Sequence, residues 1–180
     1  MSTKAPTLLY IFDVDGTLVE NFGIRPLPDV QEVLTRLKDE GHHLAVATNQ
    51  SGPAWGLETG DSKYPEAAAL GRRFWEIARL LPLLQEVPWF VAVGDPRLSL
   101  DVEPYDQIVQ DLAEGAGPLE IYVSADWDWR KPGPGMLLAA CRYYRVPPAQ
   151  AIFVGDFETD AEAADAAGMG FAFADDFFGW

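Results

Sequence analysis

The 180-residue chain is predicted to be an α/β protein built on a doubly wound parallel sheet. Three observations carry that prediction. Short apolar runs recur along the chain, and each ends in a polar or glycine turn, as buried strands do. Between them lie stretches whose apolar residues fall at helical spacing. The two kinds of segment alternate, which is the pattern of a parallel sheet covered by helices.

Taken in order, Leu8 to Phe12 is the first strand, closed by Asp13-Val14-Asp15-Gly16-Thr17-Leu18. Residues 16–27 are too few to form a separate domain. Asp29 to Glu40 reads as a helix, with Val30, Val33, Leu34 and Leu37 on one face and Gly41 as its stop. Leu44 to Ala47 is the second strand and runs into Thr48-Asn49-Gln50-Ser51-Gly52. Ser51 to Tyr64, rich in glycine and polar residues, reads as a loop. Pro65 opens a helix with Phe74, Ile77, Ala78 and Leu81 on its inner face, and Pro82 ends it. Trp89 to Val93 is a further strand. Residues 94–130 form a variable insertion, with a short helix near Tyr105 to Leu112 and the apolar alternation Leu119 to Val123. A helix starting near Pro134 carries Leu137, Leu138, Cys141 and Tyr144. Ala151 to Val154 is a strand, Ala161 to Ala167 an alanine-rich helix stopped by Gly168, and Phe171 to Phe173 an edge strand. Without a repeat or an interdomain linker, residues 1–180 are expected to form one domain.

Polar clusters at the strand ends carry the chemistry. Asp13 and Asp15 stand at the carboxyl end of the first strand, where open α/β sheets bind ligands. Like charges gathered there are costly unless a cation or a shared proton offsets them. The pair predicts a metal-dependent site whose first aspartate attacks an electrophile; a surface turn with solvated aspartates is the alternative for this motif alone. Thr48 to Gly52, Lys131-Pro132 before a helix, and Gly155-Asp156 with Asp160 can all reach the same sheet edge.

This ordered set resembles the haloacid dehalogenase-like (HAD) superfamily, whose members are mostly magnesium-dependent phosphatases. Thr48-Asn49-Gln50-Ser51-Gly52 and Arg130-Lys131-Pro132-Gly133-Pro134-Gly135-Met136 are similar to one branch in particular. That branch holds histidinol-phosphatase, the heptose bisphosphate phosphatase and the 3′-phosphatase of polynucleotide kinase-phosphatases. The likeness follows motif order from Leu8 to about Phe173 and is weak from about Pro53 to Asp128. It implies a Rossmann-type fold without a large cap domain, and a small flap at residues 16–27. The sugar bisphosphate phosphatases of this branch commonly carry a cysteine and histidine zinc loop where residues 94–130 lie. Those ligands are missing here, so structural zinc is not expected and packing must hold the loop.

Roles follow for individual residues. Asp13 is the candidate nucleophile, forming an aspartyl-phosphate. Asp15 points to the same side of an extended backbone and is the candidate acid and base for the leaving oxygen and the hydrolytic water. Its backbone carbonyl is a metal ligand in the resembled family. Asp156 would complete an oxygen site suited to Mg²⁺. Asp160 acts through a metal-bound water or, alternatively, favours a helix amino terminus. Thr48 and backbone N–H groups from Asn49 onward would cradle phosphoryl oxygens, and Lys131 would neutralise charge on the transferring group. Thr17 either orients Asp15 or is a turn residue. Arg130 either clamps a second anionic group of the substrate or is a surface cation.

Composition narrows the function. Thirteen basic and 28 acidic residues give a net charge of −15, which offers no footprint for duplex nucleic acid and favours a small phosphorylated substrate. A local basic groove would defeat that argument, so a polynucleotide 3′-phosphatase is the alternative within this chemistry. A phospho-switched receiver module is the alternative of another class; receivers place their phosphorylated aspartate after a central strand, whereas here the aspartate pair follows the first. Cys141 is the only cysteine, which excludes a disulfide framework within one chain. No apolar stretch suits a membrane span or a signal region, so the expected location is the cytoplasm. Oligomeric state and natural substrate are not read from these residues. His42, His43 and Cys141 are expected to be structural. Trp127 and Trp129 either stack on a ring-bearing substrate or cover the sheet edge, and Phe177 to Trp180 tuck into the fold or into another subunit.

Overall fold

The computed structural model describes residues 6–100 and 102–180. Strands β1 (Leu9–Phe12), β2 (His43–Asn49), β3 (Trp89–Ala92), β4 (Ile121–Ser124), β5 (Ala151–Gly155) and β6 (Gly170–Phe173) form one sheet in the order β4-β3-β2-β1-β5-β6. Every pairing is parallel. The chain winds outward from β1 through β2 and β3 to β4, then crosses back to lay β5 on the other side of β1. The winding therefore reverses beside β1, and the carboxyl ends of β2, β1 and β5 border the crevice where such sheets take ligands.

Side chains alternate between the two faces, as the pleat requires. Phe12, Leu44, Val46, Trp89, Val91 and Val154 face a core shared with α1 (Val30–Asp39), α3 (Ala67–Leu80) and α4 (Val102–Gly115). Ile11, Ala45, Ala47, Phe90 and Phe153 face α5 (Gly135–Tyr144) and α6 (Glu158–Ala167). The small residues Ala163, Ala164 and Ala167 let α6 approach the sheet closely. The structure is thus the doubly wound α/β fold that the sequence predicts. Among the described residues, no helix is long and apolar enough to cross a membrane.

Three expectations are corrected. Ser51 to Tyr64 is not simply a loop, because α2 (Gly52–Thr59) lies within it. Only Pro53 and Ala54 of that helix are buried, so the apolar repeat that marks a helix in sequence is missing. Proline at its start leaves no hydrogen bond unmade, and Gly60 at φ 66° closes it. The helix expected over Tyr105 to Leu112 spans Val102–Gly115, and it meets α3 at glycines. A Cβ on Gly71 would stand 2.6 Å from the Ala116 nitrogen, and one on Gly115 would stand 3.0 Å from the Ala68 carbonyl carbon. Trp127 covers nothing at the sheet edge, being 65% exposed. Trp129 alone tilts against Phe90, with ring centroids 6.1 Å apart.

The aromatic tail folds back on its own chain. α7 (Ala174–Phe178) buries Phe178 and sets Phe177 against Tyr10 and Phe12, while the Trp180 indole donates to the Pro28 carbonyl at 2.9 Å. The two histidines have structural partners. His42 Nδ1 accepts from the Leu8 N–H at 3.1 Å, and the His43 ring stacks on Tyr144.

Candidate active site

Asp13 is the first residue past β1, and its N–H donates to the Val154 carbonyl of β5 at 2.9 Å, which fixes it at the reversal of the winding. Lys131 reaches the same point from the loop before α5. Its side chain is 2% exposed, with Nζ 3.0 Å from Asp13 Oδ1 and 2.7 Å from Asp160 Oδ1. Nζ also donates to the Ala47 carbonyl at 3.3 Å. Asn49 sets the lysine in place from β2: its side chain accepts from the Lys131 N–H and donates to the Lys131 carbonyl, each at 2.9 Å. Gln50 N–H donates to the Ala92 carbonyl at 2.7 Å, so it is not free to join a phosphate cradle.

One carboxylate oxygen from each of Asp13, Asp156 and Asp160 lies within 4.8 Å of the others. Two glycines make room for this cluster. The Asp156 carboxylate occupies the space a side chain at Gly16 would fill, and the Asp160 carboxylate does the same at Gly155. Gly16 also holds φ at 71°, which suits only glycine well. Asp160 fills the helix-terminus alternative, since Oδ2 accepts the Phe157 N–H at 3.1 Å at the start of α6, while Oδ1 pairs with Lys131.

The electrostatics suit a cation. Burial pushes the Asp13 carboxyl up to about 6, against the opposing pull of Lys131. Burial also raises Asp156, and the neighbouring Asp160 charge adds to the effect. For Lys131, burial works against the ammonium, but Asp13 and Asp160 together outweigh it and raise its pKa. Asp13 Oδ1 is buried without a hydrogen bond among the described residues, its 3.0 Å approach to Lys131 being poorly aligned. A buried oxygen lacking a hydrogen bond, among oxygen donors alone, fits a hard divalent cation.

The Asp15 carboxylate stands apart from this cluster. It accepts from the Phe22 N–H at 2.8 Å, from Gln50 Nε2 at 2.9 Å, and from both terminal nitrogens of Arg73. Arg73 is absent from the expected set, and no sequence signal marks it, because it lies on α3 where the family motifs are silent. Thr17 does not orient Asp15: its hydroxyl is buried and has no hydrogen-bond partner among the described residues. Thr48 Oγ1 accepts from Gln50 Nε2 at 3.1 Å, so Gln50 links the threonine to Asp15.

Arg130 is not a free surface cation. It faces Asp95 at 3.4 Å and donates to Ser51 Oγ at 3.3 Å. Asp95 is fully buried and also accepts from Arg97 Nη2 at 2.6 Å and Trp55 Nε1 at 3.1 Å. These bonds tie residues 94–130 to α2 in a region that holds no cysteine or histidine. Gly94-Asp95 after the apolar Trp89 to Val93 repeats the form of Gly155-Asp156 after β5, a signal that could have flagged Asp95. A groove of about 190 Å³ is lined by Asp13, Asp15, Thr48, Asn49, Lys131 and Asp156. A cleft of about 620 Å³ shares Asn49 with it and extends past Gln50 and Arg73 to Trp55 and Tyr64.

Known proteins are similar to this chain in sequence and in fold. Residues 10–55 match the family described as Haloacid dehalogenase-like hydrolase, and residues 128–174 match HAD-hydrolase-like. The D-glycero-beta-D-manno-heptose-1,7-bisphosphate 7-phosphatase of Haemophilus influenzae is 31% identical over 158 residues, covering 84% of this chain and 72% of that one. The chain belongs to the haloacid dehalogenase-like hydrolases. The Escherichia coli K12 protein of the same name is 30% identical over 179 residues, covering 94% of this HAD chain and 78% of its own length. The fold is likewise similar to that of D,D-heptose 1.7-bisphosphate phosphatase from B. bronchiseptica, solved with magnesium and phosphate. The TM-score is 0.53 at 24% identity, over 93% of this chain and 79% of that one. This member of the HAD superfamily is a phosphatase of the branch expected from its motifs.

Proposed function

We propose that this HAD phosphatase hydrolyses a small phosphorylated sugar, using magnesium and a covalent aspartyl-phosphate on Asp13. The observation that carries the reading is the convergence of Asp13, Asp156 and Asp160 within 4.8 Å, beside a buried Lys131. The substrate class rests on relatives named for a sugar bisphosphate. Net charge of −15 supports it against nucleic-acid ends.

Asp13, Asp156 and the Asp15 main-chain carbonyl would hold the ion, with Asp160 reaching it through water. Bound there, it would offset the repulsion between an anionic nucleophile and an anionic ester. An Asp13 oxygen attacks phosphorus, and the bond from phosphorus to the leaving oxygen breaks. The leaving oxygen keeps that electron pair and takes a proton from Asp15. Water then attacks the same phosphorus and returns a proton to Asp15, and inorganic phosphate departs from Asp13. Lys131 and Thr48 bind the phosphoryl oxygens meanwhile, and Asn49 fixes Lys131 for that task. Residues 16–27, with Asn21 on the groove wall, act as the flap.

Phosphate release should be measured with magnesium on sugar monophosphates, sugar bisphosphates and 3′-phosphorylated oligonucleotides. Sugar phosphates are expected to lead, and Asp13→Asn to lose at least about 10³-fold. Unchanged turnover by a folded Asp13→Asn protein would end the proposal, and release from the oligonucleotide alone would move the substrate class.

A further inference from the structure

Asp15, in the reading above, must give and then take a proton at one fixed place. We infer that Arg73 is a positioning residue that fixes the Asp15 carboxylate, together with the 16–27 segment, at the mouth of the cleft where the leaving group departs. The inference rests on the proposed acid and base role of Asp15.

The geometry is specific. Arg73 projects from α3, 58 residues away in the chain, and spends its whole guanidinium on this corner. Nη1 and Nη2 donate to the two oxygens of Asp15, a fork that restrains both the position and the plane of the carboxylate. Nε donates to the Gly23 carbonyl at 2.9 Å, so the same side chain anchors the loop whose Phe22 N–H also holds Asp15. Both side chains are largely sequestered, at 16% and 18% exposure, which keeps water from competing for these bonds. Arg73 also lines the 620 Å³ cleft that leads away from the groove, so the fork lies on the side open to the rest of the substrate. The neighbouring Arg72 is exposed and serves as an internal control for loss of charge alone.

The test compares leaving groups. The value of kcat/KM reports steps through formation of the aspartyl-phosphate, and p-nitrophenolate leaves without needing a proton. Arg73→Gln should therefore lower kcat/KM for an alkyl or sugar phosphate by about 10–100-fold and leave that for p-nitrophenyl phosphate within about threefold. With p-nitrophenyl phosphate it should also show a burst of about one p-nitrophenolate per enzyme, because the water step still needs Asp15. Arg73→Lys should recover part of the loss, and Arg72→Gln should behave as wild type. Melting curves show that each variant is folded; should Arg73→Gln fail to fold, the test is made on Arg73→Lys, where a loss of at least about threefold confined to the alkyl phosphate is required. Asp15→Asn is run alongside. If Asp15→Asn discriminates by leaving group and the Arg73 variants do not, the positioning role is wrong and the acid and base assignment stands. If Asp15→Asn does not discriminate either, the acid and base assignment itself falls.

Discussion

Asp13 sits in a buried corner where it and Asp160 share one ammonium, that of Lys131. Its carboxyl is raised to about 6 by burial. A carboxyl whose folded pKa exceeds its unfolded one stabilises the fold below the unfolded value, near 4, and loses that contribution as pH rises through the folded one. With chelator present, stability should therefore decline between about pH 4 and pH 7. Asp13→Asn should flatten the decline and raise the melting temperature at pH 7.5, while losing activity. Melting curves over that range decide it; an Asp13→Asn protein that melts lower than wild type at pH 7.5 would refute the electrostatic account. Asp95 is the opposite case, held well below the usual carboxylate range chiefly by Arg97. Its contribution is present above the unfolded value and is lost as pH falls below about 4. Asp95→Asn should cost about 1–3 kcal/mol at neutral pH, because Arg130, Trp55 and Ser51 lose a charged acceptor, and should remove part of the acid limb of the stability profile. Urea titration at pH 7 and pH 3.5 measures both.

At the scale of elements, α3 and α4 touch backbone to backbone. Alanine ordinarily favours a helix over glycine by about 1 kcal/mol. Gly71→Ala should nonetheless destabilise by about 1–3 kcal/mol, since its methyl would push into the backbone of the last turn of α4 and Ala116. A rise in the urea midpoint would show that the helices separate easily. The same elements explain why part of the fold escaped the sequence. α1 and α3 carry an apolar stripe and were legible from it, whereas α2 buries only Pro53 and Ala54 and offers no period to read. Strands β1, β2, β3 and β5 were legible as apolar runs because a parallel sheet covered on both faces excludes water from both sides.

For the whole molecule, a net charge of −15 and a carboxylate cluster at the sheet edge predict that cation binding would be a stabilising event. At magnesium concentrations about 100-fold over the dissociation constant, linkage gives about 2.7 kcal/mol. In a chain of this size that is roughly 5–10 °C of melting temperature. Differential scanning fluorimetry in chelator and then in magnesium measures it, and Asp156→Asn should abolish most of the gain. Phosphate release should vanish in chelator and return with magnesium. An unchanged melting temperature alongside metal-independent release would remove the ion from this protein.

The sequence by itself determined a parallel sheet and the family, because buried strands need unbroken apolar runs and most of the polar motifs sit on their ends. It also named Asp13, Thr48, Asp156 and Asp160, each within a few residues of such an end, and Lys131 just before a helix. Only the tertiary structure decided what stands around Asp15. Arg73 comes from a helix surface with no motif, and its bearing on Asp15 depends on the packing angle of α3 rather than on any local spacing. The same holds for Arg130, whose partner Asp95 is supplied by the segment that follows β3. Local patterning is set by burial of one segment against water, but a salt bridge between distant segments is set by where the packed core leaves their side chains.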